Sequence, residues 1–299
     1  MGLAIGDGEQ AGSGLSRSTY PGTFHALLWR GNASSVVDLH PIGFDGSGIN
    51  ATSGGVQVGW GQHDDNTHHA LKWSGSASSV VDLHPSGLFR YSEALGVSGD
   101  QVVGRGEVPD IHALLWTSQG VVDLNPSGFA TSVAVATDGA HQVGSGTPPP
   151  CCNGHALMWF GTANSVVDLH PVSGYSGSSA FGVNGGQQVG EGTAGTLSHA
   201  LLWTGSAQSV IDLHPSGYRE TSAVAVSAGR QVGYGTLPDG STRHALIWNG
   251  TADGVVDLHA FLPAGFVRSE AYGIDVSGNV IGIAAGADGR SHAILWVAQ

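Results

Sequence analysis

Positive charge is scarce in this chain. Ten Lys and Arg residues face 23 Asp and Glu over 299 positions, for a formal charge of −13. A nucleic-acid binder needs a basic patch to neutralise phosphates, and ten scattered cations do not make one. An anionic membrane surface is excluded on the same ground. Cysteine is nearly absent. Cys151 and Cys152 are adjacent and cannot build a disulfide framework. No run of 18 apolar residues occurs, so no helical membrane span is expected. The opening MGLAIGDG lacks a basic stretch and a long apolar core, so it does not read as a signal peptide. Charged residues make up only 11% of the chain, among many Gly and Ser. That balance points to an extracellular or secreted protein whose leader is not in this chain.

What the chain has is glycine, tryptophan, histidine and a period. His-Ala-Leu-Leu-Trp at 25–29 returns in related form at 69–73, 112–116, 155–159, 199–203, 244–248 and 292–296. Seven of the eight tryptophans lie in these copies; Trp60 does not. Each unit holds four short apolar runs, here named a to d. In the unit from Ser92 they are SEALGV, QVVG, HALLW and VVDL, separated by Gly, Ser, Asn and Pro. Short runs with that punctuation are strands and turns. Four strands every 43 residues or so is the blade of a β-propeller. The expected fold is all-β: one propeller domain over 1–299 with seven blades of four antiparallel strands. The repeats fall near 1–40, 41–84, 85–125, 126–170, 171–214, 215–259 and 260–299. Run d is found six times, so either the last blade has three strands or the chain is cut from a longer protein.

Run a carries small residues at alternate positions, such as Ala94 with Gly96 and Ala180 with Gly182. Regular alternation would set both on one face of the innermost strand. The a–b and c–d turns are short and uniform. The b–c and d–a segments vary, and variation on a repeated scaffold is where binding usually sits. Six aromatics punctuate the d–a segments: Phe44, Phe89, Phe129, Tyr175, Tyr218 and Phe266. They read either as contacts for a ligand or as packing between blades.

Twelve of the fifteen histidines occupy two repeat positions. His25, His69, His112, His155, His199, His244 and His292 open run c. His40, His84, His170, His214 and His259 follow run d, with Asn125 in the remaining copy. Pairing c with d so that Trp29 faces Val36 sets His25 opposite His40, with Asp38 on the diagonal. Asp82, Asp123, Asp168, Asp212 and Asp257 repeat the arrangement. Such a set can bind a divalent metal through neutral imidazoles. It can equally be a structural hydrogen-bond network, because buried polar groups must be satisfied. Two facts favour the network. Asn125 replaces a hydrogen bond well and a soft-metal ligand poorly, and a function rarely needs every blade.

Two loops are singular. Gln62–His69 crowds His63, Asp64 and His68 without a zinc or EF-hand spacing, so a solvated loop is the plainer reading than a metal site. Pro148–Gly154 carries Cys151 and Cys152, either free or joined as a stiff bump for ligand contact. No nucleophile elbow or phosphate loop is found.

The His-Ala-x-x-Trp, Val-Asp-Leu and Gln-Val-Val-Gly runs resemble the HAF-type repeat of bacterial proteins predicted to be exported, across nearly the whole chain. Leu or Ile replaces the family's Phe, and His-Pro follows Asp-Leu. The resemblance implies a repeat domain at or outside the cell surface and brings no catalytic residues.

These readings converge on a non-enzymatic binding or scaffold propeller, with glycan or protein meeting the b–c and d–a face. Two alternatives stand beside it. One is a hydrolase or lyase with its site at the channel mouth, for which the chain offers no obvious acid–base set. The other is a metal-binding repeat protein built on the histidine pairs.

Overall fold

Short runs of Val, Ala, Leu and Trp between Gly- and Ser-rich turns form 27 strands among the described residues of the computed structural model. It describes residues 2–6, 8–16, 22–63, 67–150 and 153–298. Blade 1 contains β1 (Gly2–Gly6), β2 (Glu9–Ser16), β3 (Thr23–Trp29) and β4 (Val37–Asp38). Blade 2 contains β5 (Gly46–Ser53), β6 (Val56–Gln62), β7 (His68–Trp73) and β8 (Val81–Asp82). Blade 3 contains β9 (Tyr91–Ser98), β10 (Gln101–Val108), β11 (Asp110–Thr117) and β12 (Gly120–Asp123). Blade 4 contains β13 (Thr131–Thr137), β14 (Gln142–Thr147), β15 (His155–Trp159) and β16 (Val167–Asp168). Blade 5 contains β17 (Ser178–Asn184), β18 (Gln187–Ala194), β19 (Leu197–Trp203) and β20 (Ile211–Asp212). Blade 6 contains β21 (Glu220–Ser227), β22 (Arg230–Thr236), β23 (Arg243–Trp248) and β24 (Val256–Asp257). Blade 7 contains β25 (Phe266–Ile274), β26 (Val280–Gly286) and β27 (Ser291–Trp296).

Each sheet keeps chain order, so the fold is a seven-bladed β-propeller with a three-stranded last blade. No α-helix occurs among the described residues; the six helical pieces are 3-10 turns. By contacts the chain forms two units, Met1–Gln142 with Gly161–Asn164, and Val143–Phe160 with Ser165–Gln299.

The c–d register is the one the sequence predicts: Leu27 pairs with Asp38 and Leu28 with Val37. Between these strands a 3-10 turn such as Ala33–Ser35 reverses the chain. It is held where a serine hydroxyl accepts the backbone N–H just after the tryptophan, as from Arg30 to Ser35 at 2.7 Å. Blade 3 is two residues shorter here. It closes as a direct hairpin with Thr117 opposite Gly120, and every side chain keeps its face. The glutamine of run b has a defined partner. Buried Gln57, Gln188 and Gln231 accept the turn N–H groups of Gly75, Gly205 and Gly250 at 2.7–2.9 Å. An interior amide needs such a partner.

Strand a departs from regular alternation. Its pairing with strand b slips by one residue between Ala94 and Gly96, between Ala180 and Gly182, and between Ala223 and Ala225. This is a β-bulge. The extra residue sends the two small side-chain positions to opposite faces rather than one. Ala94 packs with Val58 and Ala70 of blade 2. A Cβ on Gly96 would instead lie 2.8 Å from the Val135 carbonyl oxygen of blade 4's first strand. Small residues let neighbouring a strands approach that closely.

The core lies between successive blades. Leu28 and Leu39 of blade 1 meet Ile49, Leu71 and Trp73 of blade 2. Leu202 and Leu213 of blade 5 meet Ala223, Leu246 and Trp248 of blade 6. Burying each such leucine is worth roughly 1.5–3 kcal/mol. Trp73, Trp159, Trp203 and Trp248 are fully buried, and their indole N–H groups find no acceptor among the described residues. They contribute through area rather than hydrogen bonding.

Candidate functional site

The two repeated histidine positions come together in five of the six complete blades, and blade 3 has Asn125 in the second position. In blade 1 the His25 and His40 rings stack at 4.0 Å. His25 Nδ1 donates to Asp38 Oδ2 at 2.8 Å, and the His40 backbone N–H donates to Asp38 Oδ1 at 2.9 Å. His40 Nδ1 lies 2.9 Å from Ser47 Oγ, which also accepts the Ala26 N–H at 3.1 Å. Ser47 belongs to blade 2, so the set joins one blade to the next. Equivalent sets are His69/Asp82/His84/Ser92, His155/Asp168/His170/Ser178, His199/Asp212/His214/Thr221 and His244/Asp257/His259/Ser269. The hydroxyl opens run a, where the sequence shows Ser or Thr each time. That regularity was a visible signal whose partner could not be read from sequence.

Blade 3 reveals the proton positions. Ser132 Oγ donates to Asn125 Oδ1 at 2.7 Å, and Asn125 Nδ2 donates to the Phe129 carbonyl at 3.3 Å. The histidines occupy the same two contacts: Nδ1 meets the hydroxyl, and a ring N–H meets the carbonyl of Phe44, Phe89, Tyr218 or Phe266. An amide has one acceptor and one donor there, as does neutral imidazole. Burial, then the stacked histidine, lowers the pKa of His40, His84, His170, His214 and His259.

The hydroxyl is the buried element of the set. Ser92 is fully buried, 3.0 Å from the Ala70 N–H and 2.8 Å from His84 Nδ1. Ser92→Ala is expected to destabilise the protein by about 1–3 kcal/mol, because both partners lose their bond inside the protein. Ser92→Thr should be nearly neutral, since Thr221 fills the same place. Denaturant midpoints distinguish the two outcomes.

The six d–a aromatics are all half-buried. Phe44, Phe89, Tyr175 and Tyr218 lie over Gly61, Gly106, Gly192 and Gly235, where a Cβ would meet the ring at 2.5–2.7 Å. Phe266 meets the edge of His292 at 5.5 Å. Tyr175 and Tyr218 also donate to Asp212 at 2.9 Å and to Asp257 at 3.3 Å. Burial and the Asp257 carboxylate push the Tyr218 phenol up to about 12. Burial raises the Asp212 carboxyl, but hydrogen bonds from His199, the His214 N–H and Tyr175 outweigh it and hold it low.

The described histidines around the Gln62–His69 loop lie on two different faces. His63 lies tilted against Phe44 at 4.4 Å and meets His69 edge-on at 4.6 Å. His68 is one residue out of phase with His69. It lies on the other face, between Trp60 and Tyr91, each at 5.1 Å. Asp64, Cys151 and Cys152 lie outside the described residues.

The non-repeating chemistry sits one residue past the glycine of run b, where Trp60, Arg105, Glu191 and Tyr234 occur. Arg105 pairs with Glu93 at 2.7 Å, and Glu93 also accepts from Tyr91 and Asn50. Further along, Arg243 lies 4.6 Å over the Tyr234 ring and 3.3 Å from Glu270, which accepts from Tyr272 at 2.6 Å. Glu191 is raised by burial and by Glu220, against Ser222 and Arg243. A polar cleft of about 350 Å³ opens here, lined by Glu220, Thr236, Arg243, Arg268 and Glu270 among others. It presents guanidinium and carboxylate groups together.

No protein-family model and no curated protein matches the sequence. Solved structures do. The β-propeller domain of the Trilobed protease from Pyrococcus furiosus matches all of this chain and 95% of its own, at TM-score 0.69 and 10% identity. A puromycin-hydrolysing peptidase of Mycobacterium tuberculosis matches 99% of the chain at TM-score 0.69 and 12% identity. The Pyrococcus horikoshii acylaminoacyl peptidase matches 98% at TM-score 0.64 and 12% identity. The likeness is one of fold. The chain spans about half the length of the two peptidases, 50% of each. These neighbours correct the expectation of a non-enzymatic binding or scaffold propeller. They come from a protease and two peptidases.

Proposed function

We propose that this chain is a propeller of a peptidase-related hydrolase. The observation that carries the reading is the likeness, over 98–100% of the chain, to propellers found in peptidases and a protease. The polar cleft beside β25 supports it. A free peptide presents an ammonium and a carboxylate, and the cleft offers Glu220 and Glu270 to the first, Arg243 and Arg268 to the second. Arg–carboxylate pairing is strong and directional. We keep the HAF-type kinship within this proposal on the strength of the repeat motifs, and the paired histidines as inter-blade clasps rather than metal sites.

The test is a panel of free and acylated aminoacyl p-nitroanilides and short peptides given to the full-length protein. Hydrolysis is expected, and Arg268→Ala should raise KM for free-carboxylate peptides about ten-fold with kcat kept, the loss of one charge-assisted contact. A protein that cleaves nothing in the panel does not fit the reading.

A further inference from the structure

The residue just before the repeated histidine of strand c carries a planar nitrogen group in two blades, His68 in blade 2 and Arg243 in blade 6. In both, strand b sets an aromatic ring against it, Trp60 or Tyr234. The ladders put these groups in matching places. Gln62 pairs with His68 and Trp60 with Ala70 in blade 2, as Thr236 pairs with Arg243 and Tyr234 with Ala245 in blade 6. Strand a of the following blade then supplies two residues on one face: Tyr91 and Glu93 in blade 3, Arg268 and Glu270 in blade 7.

The first of these places is filled. His68 lies stacked between Trp60 and Tyr91, each at 5.1 Å, and Tyr91 donates to Glu93 at 3.1 Å. The second has one ring fewer. Tyr234 covers one face of the Arg243 guanidinium at 4.6 Å, and Glu270 pairs with it at 3.3 Å. Where blade 3 has Tyr91, blade 7 has Arg268, which is exposed and has no ion pair among the described residues. Tyr272 already gives Glu270 a phenol hydroxyl, at 2.6 Å, so the ring alone is unmatched. The Arg243 side chain stays 44% exposed and borders the cleft of about 350 Å³, a volume at the lower end of small-ligand sites.

Resting on the reading of this cleft as a peptide site, we propose that it selects an aromatic residue at the peptide's C-terminus. The ring stacks on the open face of Arg243, as Tyr91 stacks on His68, and the adjoining carboxylate pairs with Arg268. Tyr234 and Glu270 already orient the guanidinium, so little freedom is lost when the ring arrives. An aliphatic side chain of similar bulk fills the same space and brings no π face.

The experiment titrates the full chain, by calorimetry, with Gly-Gly-Phe, its C-terminal amide, and Gly-Gly-cyclohexylalanine. Gly-Gly-Phe is expected to bind about two- to five-fold tighter than the cyclohexylalanine peptide, the worth of one exposed cation–π contact. Arg243→Gln should abolish that preference. Arg268→Tyr should abolish it too, because the new ring takes the place that Tyr91 takes in blade 3. Arg268→Ala should instead weaken both free-carboxylate peptides about ten-fold and keep the preference. Equal binding of the two free-carboxylate peptides, or a preference that survives Arg268→Tyr, overturns the aromatic site and leaves the peptide-terminus reading standing. Equal binding of Gly-Gly-Phe and its amide overturns the placement of the carboxylate on Arg268. No binding of any of the three overturns both the aromatic site and the peptide reading of the cleft.

Discussion

Gly190→Ala is expected to cost about 3 kcal/mol or more and to leave little folded protein at 37 °C. The added Cβ would fall inside the Ser179 carbonyl oxygen of the neighbouring strand, far under the 3.0 Å that real Cβ atoms keep. The cause is the bulge in strand a, which swings that carbonyl against the first strand-b glycine. Gly59, Gly104, Gly233 and Gly282 meet the same obstacle from Gly48, Glu93, Ser222 and Glu270. Backbone on backbone cannot be relieved by a rotamer. The control is Gly205→Ala. Gly205 has φ of 86° in a turn with nothing within 4 Å of a Cβ, so only the left-handed strain applies, about 1–2 kcal/mol. Guanidinium unfolding of both variants decides the matter. Equal losses would falsify the bulge argument.

Acid is expected to lower the melting temperature by several degrees between pH 8 and pH 5.5. Burial, with the stacked partner next, keeps His40, His84, His170, His214 and His259 neutral in the fold. Their folded pKa values therefore lie below the unfolded value of about 6.5. Stability is full above that value. As pH falls through it the unfolded chain binds protons first, and stability declines until the folded rings titrate as well. The half-open rings each contribute a fraction of the 1.4 kcal/mol per pK unit that full burial allows, so the effect is about their sum. The lowered carboxyl groups of Asp138 and Asp212 act separately, below about pH 4. Replacing His84 and His214 by Asn should flatten the profile without large loss at pH 8, because Asn125 already makes the same two contacts. A melting curve indifferent to pH in this window would show that the rings are free to ionise in place.

Much of the architecture is local and therefore legible. The blade count follows from the spacing of His-Ala-x-x-Trp. The c–d register is limited because a slip of one residue would turn Leu28, Val37 and Leu39 away from a common face. The same alignment stacks His25 on His40. The missing d run of blade 7 was equally plain. The functional expectation failed for a different reason. Variable loops over a repeated scaffold suggest recognition of any kind, and nothing in the composition separates a binding propeller from one belonging to a hydrolase.

The sequence alone determined the repeat, the strands, the inward faces and the inventory of His, Asp and Ser at fixed places. These depend on neighbours in the chain and on the two-residue period of a strand. Only the tertiary structure decided that Ser47 reaches back to His40, that strand a bulges so that Ala94 and Gly96 face opposite ways, and that Arg243 meets Glu270 across two blades. The first and the last depend on how one sheet lies against the next, and the bulge on how strands a and b pair within a sheet. Residues some 20 to 30 positions apart acquire a distance only when the blades pack.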